Sequence, residues 1–224
     1  MDDDPLPAAA TTLYLARHGQ SEWNHTGRVT GRLDPALSDK GREQGLALAA
    51  CVQAQGGLDA IVVSGLRRTA QTAQPASAAT GVPIQRIAAL DEIGMGELEG
   101  RWRDERDAEA QALWAQWKAQ PWTFTVPGGE PFERFTDRVQ GALRTILDGH
   151  RGKRVLVVGH SATNRVLLGT LLGWPRERWA GIRPRHKYCH RLVLGGTGPA
   201  VATVTLGGRH NGVWGPGLEP SRSP

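Results

Sequence analysis

The run RVLVV at residues 154–158 is the feature that most limits what this chain can become. Four consecutive apolar side chains suit a strand covered on both faces, and such strands belong to parallel sheets walled by helices. Two more runs share the pattern, LYLA at 13–16 and LDAIVVS at 58–64. Each stops at a polar loop. Helical stretches fall between and after them. Ser38 can cap one helix, with Asp39 in its first turn and Leu46, Leu48, Ala49 and Val52 turned to the core. Others are predicted over 66–79, 104–120, 131–148 and 162–172, the fourth of these following RVLVV directly. Shorter strands are predicted at 83–87, 190–194 and 201–206. This alternation predicts an α/β protein, a three-layer α/β/α sandwich around a mainly parallel sheet.

One domain is expected over residues 12–206, because the 224 residues are 39% hydrophobic and no linker divides them. Residues 1–11 are expected to form a disordered arm and 207–224, rich in Gly and Pro, a flexible tail. No apolar run approaches about 18 residues, so no membrane span is expected. The acidic start MDDDPLPAAA is unlike a signal peptide, and Cys51 and Cys189 are too few for a disulfide framework. A cytoplasmic location follows as the expectation. The net charge of +5 comes from arginine, since lysine occurs only at Lys40, Lys118, Lys153 and Lys187. Arginine forks onto phosphate and carboxylate oxygens. No basic run is interleaved with aromatics, so the expected partner is a small anion and not a nucleic acid.

Open α/β sheets bind ligands beyond the carboxyl ends of their strands. Arg17-His18-Gly19 lies at one such end, Ser64-Gly65-Leu66-Arg67-Arg68 at a second and His160-Ser161 at a third. A phosphomonoester needs an in-line nucleophile, cations on its equatorial oxygens and an acid for the leaving oxygen. His18 can attack as a neutral imidazole if its other ring nitrogen donates to a fixed acceptor. Arg17, His160 and either Arg67 or Arg68 can surround the oxygens, while Ser161 offers a hydroxyl at a helix start. The acid is expected in LDEIGMGELEG, residues 90–100, which holds Glu92, Glu97 and Glu99. Spacing does not choose among these three.

Taken in order, LARHGQSEWN, GRLDPALSDKGREQG, SGLRRTAQTA, LDEIGMGELEG, PGGE and VVGHSATNRVLLG resemble the histidine phosphatase superfamily. That clan includes cofactor-dependent phosphoglycerate mutase and many small bacterial phosphatases, and the resemblance spans residues 12–173. It implies a mixed sheet of about six strands and a phosphohistidine on His18. It selects Arg68 over Arg67 and Glu92 as the acid, with Arg17, His18, Arg68 and His160 forming the phosphate pocket and Asn24 at its mouth. Gly31, Arg32 and Ser161 join the phosphate-binding candidates; no metal or cofactor is implied. Gln20 and Pro131 depart from the family pattern without touching this chemistry. The chain lacks the longer insertions expected of mutases, so hydrolysis of a small phosphomonoester is the expectation and mutase-type transfer the alternative.

Two further readings come from other chemistries. Gly159-His160-Ser161-Ala162-Thr163 sits like a nucleophile elbow, but Thr163 replaces the required glycine. A serine hydrolase built on Ser161 would draw on Glu177 or Glu219 with His186, His190 or His210. An inactive phosphate-binding protein is opposed by the complete set of reactive residues. The stretch IRPRHKYCHR, 182–191, stands apart. His186, Cys189 and His190 could be metal ligands, but they precede a strand and have no second cluster. Arg183, Arg185, His186 and Lys187 fit a second anion site or an ordinary solvated loop. Trp102, Trp114, Trp117 and Trp122 suggest an aromatic lid suited to a sugar or apolar face.

Overall fold

The computed structural model describes residues 10–195, 199–206 and 215–216. Seven strands form one sheet: β1 (Thr11–Arg17), β2 (Ala60–Val63), β3 (Ile84–Arg86), β4 (Arg154–Gly159), β5 (Tyr188–Leu194), β6 (Ala200–Thr205) and the two-residue β7 (Gly215–Pro216). Their spatial order is β3-β2-β4-β1-β5-β6-β7. The first four named in that order run parallel, and β5 turns the sheet antiparallel against β1. The sheet is therefore mixed, as the family resemblance implies, with six main strands and the short edge strand β7.

Period-two alternation explains the layers. Leu13, Leu15, Val62, Val155 and Val157 enter one apolar cluster, whereas Tyr14, Ala16, Ile61, Val63, Leu156 and Val158 enter the other. Helix α5 (Phe132–Gly149) and helix α6 (Ser161–Leu171) cover the first face, with Phe135, Val139, Leu143 and Ile146 buried as expected. Helix α2 (Asp39–Ala54) and helix α3 (Arg67–Thr80) cover the second. Ser38 caps α2 by accepting from the Gly41 N–H.

Several expectations are corrected. Leu46 is 62% exposed, because the buried stripe of α2 runs through Gly41, Gly45, Leu48, Ala49 and Val52 and leaves it on the outer side. β1 begins at Thr11, which the sequence reading placed in the N-terminal arm; its hydroxyl accepts from the Gly152 N–H. The long loop after β1 contains a short helix, α1 (Glu22–Thr26), opened by a Ser21 and Asn24 capping box. Gly215–Pro216 pairs with β6, so the expected tail supplies an edge strand. The rest of 1–9 and 207–224 lies outside the described residues. Cys51 on α2 and Cys189 on β5 are free thiols that hydrogen-bond each other. No described helix is long and apolar enough to cross a membrane.

Candidate active site

β1 and β4 lie side by side with Arg17 opposite Gly159, so their ends arrive together. The His18 N–H donates to the Gly159 carbonyl at 2.9 Å, and the residue that follows β4 is His160, the N-cap of α6. Gly19 follows, donating its N–H to Thr72 Oγ1 at 2.8 Å. This loop presses on the start of α2. A Cβ on Gly19 would run into the Gly41 carbonyl, and one on Gly41 into the Gln20 carbonyl. Backbone on both sides cannot yield as a flexible side chain would. Gly41→Ala is therefore expected to cost about 1–3 kcal/mol and to displace the His18 loop, lowering activity with it. Urea unfolding and kcat/KM measured together check this, and a variant matching the parent in both would contradict the close fit.

His18 is 3% exposed. Its Nδ1 lies 2.7 Å from the Gly19 carbonyl, which accepts only if Nδ1 carries the proton. The free lone pair then sits on Nε2. Burial, reinforced by Arg68, His160, His186 and Arg17, holds the imidazole well below the usual histidine range, so it is neutral at neutral pH. Burial depresses His160 as well, followed by Arg68 and Arg17. The two rings stand 5.2 Å apart, and His160 Nε2 meets Ser64 Oγ at 2.8 Å.

Arg68 is 1% exposed and rigidly held. Its Nη1 donates to the Leu33 carbonyl at 2.8 Å and to Asp34 Oδ1 at 3.2 Å, and its Nη2 to the Gly31 carbonyl at 2.9 Å. Gly31 thus supports the arginine through its backbone. Arg67 points outward, where its Nε donates to the Asp34 carbonyl. Arg17 donates Nη1 to the Pro184 carbonyl at 3.3 Å, and burial lowers it to about 10, which still leaves it cationic at neutral pH. Among the described residues, Nε of Arg17, Nε of Arg68 and Nδ1 of His160 are buried and have no hydrogen-bond partner. Buried polar groups ordinarily have one, so these three mark a place built for a ligand.

Among the three candidate acids, Glu92 lines the cavity. It is set at the start of α6: Oε2 accepts from the Ala162 N–H at 3.1 Å and Oε1 from the Thr163 N–H at 3.2 Å. Glu99 instead braces the loop, accepting from the Arg32 and Met95 N–H groups, and Glu97 is exposed. Asn24, Gly31 and Ser161 line the same cavity of about 440 Å³ as Arg17, His18, Arg68 and Glu92. Arg32 does not. Its guanidinium pairs with Glu130 at 3.0 Å, a carboxylate that Arg138 also holds.

The outer wall carries Trp114, Trp117 and Trp122, with the first two stacked at 5.2 Å. Trp102 is not part of it, since it lies between the guanidiniums of Arg28 and Arg106. Sequence reasoning missed the cations of this wall: Arg28, Arg103, Lys118 and Arg165. Arg165 alone had a signal, standing one helical turn beyond Ser161.

The basic segment 182–191 is divided. Arg183 lines the main cavity, while Arg185, His186 and Lys187 line a second opening with Lys40 and Glu43, so the four do not come together in one site. The suggested metal set is also parted. His186 Nδ1 meets the His18 carbonyl at 2.6 Å, Cys189 faces Cys51 and His190 Nδ1 meets Thr203 Oγ1 at 2.8 Å. Of the histidines that a hydrolase built on Ser161 would draw on, His186 lines the second opening and not the cavity of Ser161, and His190 is buried on β5 against Thr203. Glu219 and His210 lie outside the described residues.

A neutral buried imidazole with one free nitrogen, ringed by guanidiniums at the carboxyl edge of parallel strands, defines an α/β enzyme that handles phosphate. Residues 13–206 match the family profile of the histidine phosphatase superfamily (branch 1), and the chain belongs to that family. It is 34% identical over 181 residues to a protein named probable phosphoglycerate mutase GpmB from Salmonella newport, covering 79% of this chain and 81% of that one. The structure of a putative alpha-ribazole-5'-P phosphatase from Escherichia coli superposes with a TM-score of 0.78 at 25% identity, over 91% of this chain and 99% of that one. A mycobacterial glucosyl-3-phosphoglycerate phosphatase solved with VO3 gives 0.73 at 26% identity, over 81% and 90%. The enzyme is thus of the histidine phosphatase class, with phosphatases and a mutase-like protein among its relatives.

Proposed function

We propose that this enzyme hydrolyses a small phosphomonoester through a covalent phosphohistidine on His18. The observation that carries the reading is the His18 ring itself: neutral, buried, with Nδ1–H tied to the Gly19 carbonyl and Nε2 free among Arg17, Arg68 and His160. Nε2 attacks phosphorus and the bond to the ester oxygen breaks, its electron pair leaving with that oxygen. Glu92, whose Oε2 carries a single hydrogen bond from the protein, delivers a proton to it. Arg17 and Arg68 stabilise the charge on the equatorial oxygens, and the Gly19 carbonyl stabilises the imidazolium character of the intermediate. Water then attacks the phosphohistidine, gives its proton to Glu92 and releases inorganic phosphate, which returns the lone pair to Nε2.

Phosphate release from a panel of esters in the presence of EDTA tests the reading directly. Glu92→Gln is expected to lower kcat/KM by about 10²–10⁴-fold for alkyl phosphates. The loss should be smaller for 4-nitrophenyl phosphate, whose leaving oxygen needs no proton. Equal losses on both esters would remove Glu92 from the acid role. Mutase-type transfer shares the first half of this mechanism, and the likeness to the mutase-named protein favours testing it. Recovery of phosphate on a second hydroxyl, with none free, would establish it in place of hydrolysis.

A further inference from the structure

Beyond the phosphate pocket, Arg165 has a setting that hydrolysis of a simple ester does not require. It stands on α6 one turn after Ser161, lines the main cavity and is half-buried. Among the described residues its one hydrogen bond runs from Nε to the Ile182 carbonyl at 3.3 Å. No carboxylate pairs with it among the described residues, and the acid nearest in its field is Glu92, already held by the α6 backbone. Arg183 approaches from the loop before β5 and adds to the same positive field. A guanidinium taken out of water without a counterion is costly unless a ligand supplies one. The phosphate has cations of its own in Arg17 and Arg68, which line the cavity with His18. The same cavity is lined by the stacked pair Trp114 and Trp117 and by Trp122, which offer it aromatic surface.

We infer that Arg165, with Arg183, forms a second oxyanion subsite and is a specificity-determining residue. The substrate class is a phosphomonoester whose leaving group carries a further anionic group, carboxylate or second phosphate, on a body that lies against the tryptophans. This rests on the phosphatase reading above and narrows it. Arg165 binds the distal anion alike in ground and transition states, so its contribution falls mainly on KM.

The test is kcat/KM for two matched pairs: 3-phosphoglycerate against glycerol 3-phosphate for a carboxylate, and fructose 1,6-bisphosphate against fructose 6-phosphate for a second phosphate. The parent is expected to prefer the charged member of at least one pair by about ten-fold or more, as a charge-assisted bidentate contact allows. Arg165→Gln is expected to bring that ratio to within about three-fold, chiefly through KM. Continued turnover of the neutral ester shows the variant folded, and Arg183→Gln, at an exposed position, gives a second reading of the same subsite. Arg185→Gln removes the same charge from the other opening and is expected to keep the preference. A parent with no preference in either pair overturns the inference, as does loss of preference in Arg185→Gln equal to that in Arg165→Gln. Turnover of none of the four esters overturns the phosphatase reading instead.

Discussion

His18→Ala is expected to lower kcat/KM for every phosphomonoester by about 10⁵-fold or more, the scale seen when the attacking group of a covalent mechanism is removed. No neighbouring ring can replace it. His160 gives Nε2 to Ser64, and His186, 5.2 Å away, is anchored by Nδ1 to the His18 carbonyl. The pocket should survive the substitution, because Arg68 is held by Leu33, Asp34 and Gly31, and Glu92 by the start of α6. Phosphate should therefore still bind to a protein that no longer turns over. Rapid denaturation of the parent during turnover is expected to trap phosphate in an acid-labile, alkali-stable bond at His18, absent from the variant. Residual activity above about one per cent would mean that water attacks directly and that the imidazole only orients the ester.

The strands that carry this site were legible because strands buried on both faces leave continuous apolar runs, and β2 and β4 are such runs. Their parallel order then gathers Arg17, His18, Arg68 and His160 at one edge. Spacing left Arg67 against Arg68 and Glu92 against Glu97 and Glu99 undecided. Those choices turn on which neighbours hold each side chain, and Asp34 and the α6 backbone are far away in sequence. Arg32 escaped for the same reason, since Glu130 lies nearly a hundred residues on. Arg165 was missed because a charged residue inside a helix reads as solvated until the chain that crosses it, here at Ile182, is known. Cys189 and His190 do not share a metal because they are neighbours on β5. Adjacent residues of a strand point to opposite faces.

Acid should unfold this protein over a narrow range that begins near pH 6. His18, His160 and His190 are each less than 5% exposed, and His186 is half-buried. Burial lowers all four, His190 to about 4 and His186 to about 3, with His18 and His160 depressed in the same direction. An unfolded histidine titrates near 6.5. The folded state thus stays neutral where the unfolded chain takes up protons, so stability is complete above about 6.5 and falls with pH below it. Each histidine contributes a slope of about 1.4 kcal/mol per pH unit once its unfolded form is protonated. Four together give roughly 5 kcal/mol per unit, against a total stability of about 5–15 kcal/mol for a typical protein. Asp59, held low by its hydrogen bond with Arg154, loses its contribution only at lower pH and does not account for an onset near 6. Urea midpoints from pH 8 to 5 at fixed ionic strength check this. His190→Gln, away from the reacting groups, should remove about a quarter of the slope, and a midpoint unchanged down to pH 5.5 would rule out neutral burial of these rings. Because His18 does not titrate in this range, kcat/KM should not decline through protonation of the nucleophile. Its loss in acid should coincide with the cooperative loss of the fold, and a saturating phosphate ligand, which binds only the folded state, should move both to lower pH together.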